Sequence, residues 1–352
     1  MEINGKTYSM KIYKLLIMVS AAFLVCGCYE DYVRDYDHDA VYIAYQYNLR
    51  SFVVGEGMEF EIGAMLAGVM NNDRDRAVVL EFDDALVNSD LSALTGSMES
   101  FTAFDVMSGI STQGAVSNAY VKDAVVASGI TGLAPLPTDL YTSGPMNVTI
   151  PKGRHTATVS IKADSVAFIS DPNAGHDPYY ALAYKIVSAD ADKVLPEKSF
   201  SIVAVRLESR FFGTWYHGGV SKVVDDATQD EKSVNTYYTK IPTAEGTTGL
   251  YTLRTSSAYK ATVDWFHNAP GSMDIECVDG RNLIVSDADG KITDLGSSWN
   301  EDKLLQGRKL YLNYKYSNGD GTSTVVTDTL TFRNRIRDGV NEYQDANPEH
   351  YK

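Results

Sequence analysis

The sequence predicts an all-β protein: a β-sandwich followed by an antiparallel β-barrel or open sandwich. Three observations carry that expectation. Apolar and polar residues alternate at period two in segment after segment, the pattern of strands with one buried face. Clusters of Gly, Asn, Asp and Pro separate these segments at short intervals. Aromatic residues make up 11% of the 352 positions, with 23 Tyr and only three Trp, and such a composition favours strands.

The chain opens on a different signal. Lys6, Lys11 and Lys14 precede the uncharged run 15–25, and Leu24-Val25-Cys26-Gly27-Cys28 ends it. A basic start, a short apolar middle and a small residue before the cut describe a secretory signal peptide. The run is too short for a bilayer span, which takes about 20 apolar residues. Its ending resembles a bacterial lipobox. Residues 1–27 are then the leader, and Cys28 is the lipidated first residue of the mature chain; an ordinary signal peptide is the alternative. Residues 28–39 hold Glu30, Asp31, Arg34, Asp35, Asp37 and Asp39 with little apolar content, and read as an acidic tether. Glu30-Asp31 so near the acylated cysteine resembles the export signal of surface-exposed Bacteroidetes lipoproteins.

The first folded block covers 40–207. Met58, Phe60, Ile62, Ala64 and Leu66 face one way while Glu59 and Glu61 face the other. Strands are also expected at 77–82 and 147–150, the second ending in the turn Pro151-Lys152-Gly153. Ala157, Val159, Ile161 and Ala163 alternate with polar neighbours, Tyr180, Leu182, Tyr184 and Ile186 share a face, and 200–207 closes the block. Short strands at this spacing suggest a sandwich. Residues 86–133, rich in Ser, Gly, Ala and Met, interrupt it as an insertion, with a helix expected over 115–128.

The second block covers 208–352. Strands are expected at 236–241, 249–254, 261–266, 273–277, 283–285, 309–316 and 324–335. Asp287-Ala288-Asp289-Gly290 and Asn318-Gly319-Asp320-Gly321 supply hairpin turns, since Gly, Asn and Asp tolerate positive φ. Consecutive hairpins without a convincing helix imply a meander that curls up.

Charge and cysteines narrow the function. The net charge is −15, and losing a leader with three Lys and one Glu takes it to about −17. Such a field repels phosphate backbones, so no nucleic acid is expected as partner. Of three cysteines only Cys277 would remain unmodified, within the alternating run Met273-Asp274-Ile275-Glu276-Cys277, which points it inward. No zinc spacing, nucleophile elbow, phosphate loop or dinucleotide fingerprint is present, so no catalytic residue, metal site or cofactor is predicted. Asp287-Ala288-Asp289-Gly290 departs from a calcium loop and reads as a turn. The loop 171–178, with Asp171, Asn173, His176 and Asp177, could hold a cation or a sugar hydroxyl; a solvated turn is the better reading.

Aromatics beside polar groups suit a sugar, whose C–H faces stack on rings while its hydroxyls bond to side chains. Trp215-Tyr216-His217, Trp265-Phe266-His267-Asn268 and Trp299-Asn300-Glu301-Asp302 fit that description. Trp215, after Gly213, is expected to plug the barrel, and Trp265 alternates with Val263 and Ala261 as core. Trp299 follows Gly296-Ser297-Ser298 in a loop-like stretch and has the best claim to exposure. The candidate ligand-binding residues are Trp299, Asn300, His267, Asn268, Tyr216 and His217.

Several stretches together resemble a family. Val41-Tyr42-Ile43-Ala44-Tyr45, Leu136-Pro137-Thr138-Asp139-Leu140-Tyr141 before Val148-Thr149-Ile150-Pro151-Lys152-Gly153, and Val194-Leu195-Pro196 resemble the Ig-like N-terminal domain of Bacteroidetes surface lipoproteins. Phe211-Phe212-Gly213-Thr214-Trp215 and the closing run 328–342 resemble the C-terminal β-domain often fused to it. The resemblance covers nearly the whole mature chain and implies a product of a polysaccharide-utilisation locus, acting beside outer-membrane importers and glycan-capturing lipoproteins. It supplies no binding residues, and the 86–133 insertion departs from its compact pattern.

The expectation is therefore a lipid-anchored outer-membrane protein facing the cell exterior, with an Ig-like β-sandwich as spacer. Its C-terminal domain, which holds all three tryptophans, is expected to bind extracellular oligosaccharide or polysaccharide without catalysis. The membrane is met through the lipid only. A structural or adhesive surface protein, such as a pilus-like subunit, is the alternative, and an atypical glycoside hydrolase the third reading.

Overall fold

The computed structural model describes residues 37–87, 133–236, 250–264 and 271–343. The leader with Cys28, the tether as far as residue 36, positions 88–132 of the insertion, and Trp265, Phe266, His267 and Asn268 lie outside the described residues. Among the described residues no helix is long and apolar enough to cross a membrane.

With strands numbered in chain order, the N-terminal block is a sandwich of two sheets. One orders β10 (Lys193–Val194), β1 (Ala40–Tyr42), β3 (Glu59–Ala67), β8 (Thr156–Ala163) and β6 (Tyr141–Ser143). The other orders β2 (Tyr47–Val53), β11 (Phe200–Glu208), β9 (Tyr180–Ala189), β4 (Arg76–Phe82) and β7 (Asn147–Ile150), with β5 (Ala134–Pro135) beside β9. β1 and β2 are consecutive yet belong to different sheets. The crossing between them is held by buried Gln46, whose side-chain amide donates to the Ile43 carbonyl at 2.9 Å.

The period-two faces meet as the pattern requires. Phe60, Ile62, Ala64 and Leu66 of β3 pack with Val159 and Ile161 of β8 against Tyr180, Leu182 and Tyr184 of β9. Each large apolar side chain buried there contributes roughly 1.5–3 kcal/mol. Phe52 meets Phe60 and Phe168 with ring centroids 5.0 Å apart in both cases. The Tyr184 hydroxyl stays satisfied in this core by donating to the Gly63 carbonyl at 3.0 Å, and burial pushes its pKa up to about 12. The opposite face of β9 and β11 is covered too, since Leu49, Ala181, Ala183, Ile202 and Ala204 bury against Val87.

The C-terminal block is a closed barrel rather than an open sandwich. Eight strands among the described residues neighbour in sequence. They are β12 (Gly213–Asp225), β14 (Leu250–Ser257), β15 (Lys260–Asp264), β16 (Ser272–Asp279), β17 (Asn282–Ser286), β19 (Ser297–Trp299), β20 (Lys309–Ser317) and β21 (Thr322–Arg337), and β12 pairs back with β21. Three short strands lean on this ring. β13 (Glu231–Thr236) pairs with β12, β18 (Ile292–Asp294) with β20, and β22 (Val340–Glu342) with β21.

An eight-stranded barrel has an interior just wide enough for side chains to fill. Trp215 fills it as expected, fully buried and edge-on to Phe332 at 5.4 Å, its indole N–H donating to the Phe211 carbonyl at 2.9 Å. Further along the lumen the packing turns polar. His217 Nε2 lies 3.1 Å from Asp328 Oδ1, with both side chains buried, and Tyr314 donates to the same carboxylate. Gly219 leaves the room, since a Cβ there would collide with Asp328 Oδ1 and the Thr327 carbonyl. Cys277 points toward the barrel core, half-buried, and burial raises its thiol pKa. Asp287-Ala288-Asp289-Gly290 is a turn, with Gly290 at φ +68° and the Asp287 carboxylate capping the Ile292 N–H at 2.8 Å.

Candidate functional site

The residues singled out for sugar binding do not form one site. Tyr216 and His217 are successive in β12, and successive strand residues point to opposite faces. Tyr216 stays on the outside with the Arg333 guanidinium 6.0 Å above its ring, while His217 enters the lumen. Trp299 and Asn300 divide in the same way. Trp299 is 4% exposed, pairs with Leu310 across the β19–β20 ladder, and lies edge-on to Phe211 at 5.5 Å. Its indole N–H donates to the Gly280 carbonyl at 2.7 Å. The expected exposed stacking platform is therefore a core residue. Polar Gly296-Ser297-Ser298 disguised a three-residue strand whose odd positions face inward. Asn300 is exposed, but its side chain organises a turn: it donates to the Gly307 carbonyl at 2.8 Å and accepts from the Lys309 N–H at 3.0 Å. His267 and Asn268 lie outside the described residues.

What the fold does bring together is a layer of charge between sandwich and barrel. β11 ends at Glu208 and β12 begins at Gly213, so four residues carry the chain across. Beside that crossing, the loop after β2 makes a tight bend with Gly55 at φ +76° and Gly57 at φ +80°. The bend thrusts Glu56 between two arginines of the barrel. Arg335 donates to both of its carboxylate oxygens, at 2.9 and 2.6 Å, and Arg308 Nη1 reaches Oε1 at 2.7 Å. All three side chains are almost wholly buried. Burial works against the charge on Glu56, but the two guanidinium groups prevail and hold its pKa at about 2. Arg308 also donates to the carbonyls of Arg210 and Lys303, and Arg335 Nε to Glu342 at 2.6 Å.

A second network crosses nearby. The hairpin β21–β22 turns on Asp338 and Gly339, at φ +52° and +82°, a two-residue loop with both positions left-handed. Asp338 reaches the sandwich, where it accepts from the Ser51 hydroxyl at 2.7 Å and the Ser51 N–H at 3.2 Å. Ser51 in turn accepts from Arg206 Nε at 2.9 Å. Parallel pairing of β2 and β11 sets Ser51 directly opposite Arg206. Arg206 Nε lies 3.1 Å from Glu208 Oε1, and His176 Nδ1 lies 3.2 Å from the same oxygen. The Thr255 hydroxyl, from β14 of the barrel, donates to the other oxygen. Burial opposes the Glu208 charge, yet the His176 hydrogen bond and Arg206 keep its pKa below the usual carboxylate range.

Against this second network opens a cleft of about 250 Å³. Phe212 and Ile336 give it an apolar wall, and Gly213 (φ +128°) contributes bare backbone. A side chain at Gly213 would collide with Arg335 and the Asn334 carbonyl. His176, Thr214, Thr252, Arg254 and Asn334 supply polar groups, over a floor of Arg206, Glu208, Thr255 and Arg335. A concave apolar surface with a few convergent polar groups is the usual anatomy of a small-ligand site, though most pockets for drug-sized ligands are larger, roughly 300–1,000 Å³. Among the described residues no group of three or more His, Cys, Asp or Glu is placed to hold a metal ion.

Sequence reasoning touched this place only through loop 171–178. That loop is a turn, with Asp171 accepting from the Asn173 N–H at 2.7 Å, and it also delivers His176 to the cleft. Arg206 and Glu208 did leave a signal. They continue the phase of Ile202 and Ala204 in an otherwise apolar strand, and charges in such a strand are buried only when paired.

Residues 36–193 match the model of a family described as “-like, N-terminal domain”. A protein of unknown function from Bacteroides ovatus is 15% identical, with a TM-score of 0.56, covering 89% of this chain and 99% of its own. A multidomain protein of the same organism is 10% identical at a TM-score of 0.37, covering 86% and 96%. A candidate carbohydrate-binding protein, again from Bacteroides ovatus, is 11% identical at a TM-score of 0.28, covering 83% and 79%. The first likeness extends to the fold alone, and the other two to less. A comparison with curated proteins gives no match.

Proposed function

We propose that this chain is a lipid-anchored protein of the outer-membrane surface that binds extracellular oligosaccharide or polysaccharide without catalysis, as one part of a glycan capture and uptake system. Lipidation at Cys28 supplies the anchor in this reading, and an outer-membrane importer with its glycan-capturing lipoproteins supplies the partners. The observation that carries it is the cleft between the domains, where an apolar wall faces His176, Thr252, Arg254 and Asn334. A sugar ring needs that combination, with C–H faces against carbon and hydroxyls against polar side chains. The saccharide is thus assigned to the domain junction instead of to the tryptophans.

Titration calorimetry of the full-length lipoprotein against a panel of neutral and acidic oligosaccharides tests the reading. Thr252 stands exposed at the cleft and bonds only weakly to Thr214, at 3.4 Å. Thr252→Trp should block the cleft and cost tenfold or more in affinity without unfolding the protein. Undiminished affinity in that variant moves the site elsewhere, and no binding across the panel removes the function. One observation favours the adhesive alternative: β13 is exposed along its whole length and ends its sheet among the described residues, and an edge strand can pair with a strand from another chain. Concentration-dependent assembly without saccharide affinity is its signature.

A further inference from the structure

The hydrogen-bonding capacity that the cleft offers a ligand is mostly of the donor kind. Of the carboxylates around it, Glu208, Glu56 and Glu342 are committed within the protein, while Asp264, beside Arg254, is 78% exposed. Glu208 serves Arg206, His176 and Thr255; Glu56 serves Arg308 and Arg335; Glu342 serves Arg335. Two side chains at the cleft are committed far less. Arg254 is 58% exposed, and its Nη2 donates to Asp264 Oδ1 at 3.3 Å in a solvent-exposed pair. His176 is 45% exposed and spends Nδ1 on Glu208, which leaves Nε2 as the ring nitrogen on the other side. Three arginines and one glutamate line this cleft in a chain of net charge −15.

The geometry points to a sugar that carries a carboxylate, a uronic acid residue, as the ligand class of this cleft. Arg254 is its charge partner, and His176 a second polar contact. This rests on the cleft being the saccharide site. A guanidinium offers a carboxylate two parallel N–H donors, a match that a neutral hydroxyl cannot make. The pyranose ring lies along Phe212 and Ile336, and no bond is made or broken.

The test is titration calorimetry of the full-length protein with oligogalacturonate and oligoglucuronate, their neutral methyl esters, and a sulfated neutral oligosaccharide. One free acid should bind at least tenfold more tightly than its methyl ester, and that preference should weaken as salt rises. Arg254→Gln should reduce the preference to twofold or less while neutral-sugar affinity persists. His176→Gln should weaken acid binding several-fold. Equal binding of acid and ester, abolished by Thr252→Trp, overturns the carboxylate assignment and keeps the cleft as a sugar site. Tighter binding of the sulfated probe than of either uronate also overturns the assignment. Absence of binding by these probes while a neutral oligosaccharide of the wider panel still binds overturns this inference alone, and absence of binding across the whole panel overturns the function as well.

Discussion

Two charged clusters stand side by side at the domain junction, built from the same residue types. Around Glu56, every side-chain group named is matched: the carboxylate takes three guanidinium contacts, and the arginines spend their other donors on Glu342 and on backbone carbonyls. Around Glu208, the carboxylate is matched as fully, but its partner His176 and the neighbouring Arg254 reach into solvent at a concave surface. Charge at an interface therefore has two distinct uses. A saturated cluster fixes how two domains sit together, whereas a partly committed one keeps capacity for something outside the fold.

The largest effects belong to the saturated cluster. Glu56→Ala strands two buried guanidinium groups, and breaking a buried pair this way costs about 3–5 kcal/mol. Thermal unfolding should register it as a drop of roughly 6–20 °C, at about 2–4 °C per kcal/mol for domains of this size. Arg335→Gln should fall in the same range. A loss below about 1 kcal/mol in either variant breaks the comparison, because the seam would then be ornamental.

Trp299→Ala comes next and separates packing from binding. Removing a buried indole costs about 3–5 kcal/mol through lost transfer energy and the cavity left behind. Saccharide affinity of the protein that remains folded should not change. If affinity collapses while stability holds, the ring is a platform after all and the cleft loses its claim.

Acid exposes the saturated cluster in a graded way. The Glu56 pKa is about 2 in the folded chain against 4.5 for an unperturbed glutamate. A depressed carboxylate stabilises the fold fully above its unfolded pKa, and the contribution fades as pH falls from about 4.5 through 2. The integrated loss is on the order of 3 kcal/mol. Denaturant midpoints measured from pH 6 down to 2.5 should fall steeply over that window and flatten in Glu56→Gln. An equal slope in the variant assigns the acid sensitivity to other carboxylates.

The fold was legible where strands bury one face. Met58 to Leu66, Ala157 to Ala163 and Tyr180 to Ile186 announced their inward residues through simple alternation, and the alternation placed them correctly. Short strands were not legible. β18, β19 and β22 have three residues each, too few for a period to declare itself, and Trp299 was misread for that reason. The site was legible least of all. Glu56 and Arg335 stand 279 positions apart, and Ser51 and Asp338 stand 287 apart, so only the folded chain joins them. Adjacent residues, by contrast, invited a grouping that a strand undoes, as Tyr216 and His217 demonstrate.

The smallest effect is the sharpest discriminator. Arg254 and Arg335 both line the cleft, yet they should respond oppositely to the same substitution. Arg254 pairs with Asp264 at 3.3 Å, with side chains 58% and 78% exposed, so water screens the attraction and ordering two long side chains offsets much of the rest. Exposed pairs of this kind contribute roughly 0.2–1 kcal/mol. Arg254→Gln should therefore move the unfolding midpoint by about 0.5 kcal/mol or less. A loss well above 1 kcal/mol would mean that Arg254 already belongs to the structural seam. Its guanidinium would then be spent within the fold, and the distinction between the two clusters would fail at the residue on which ligand selectivity depends.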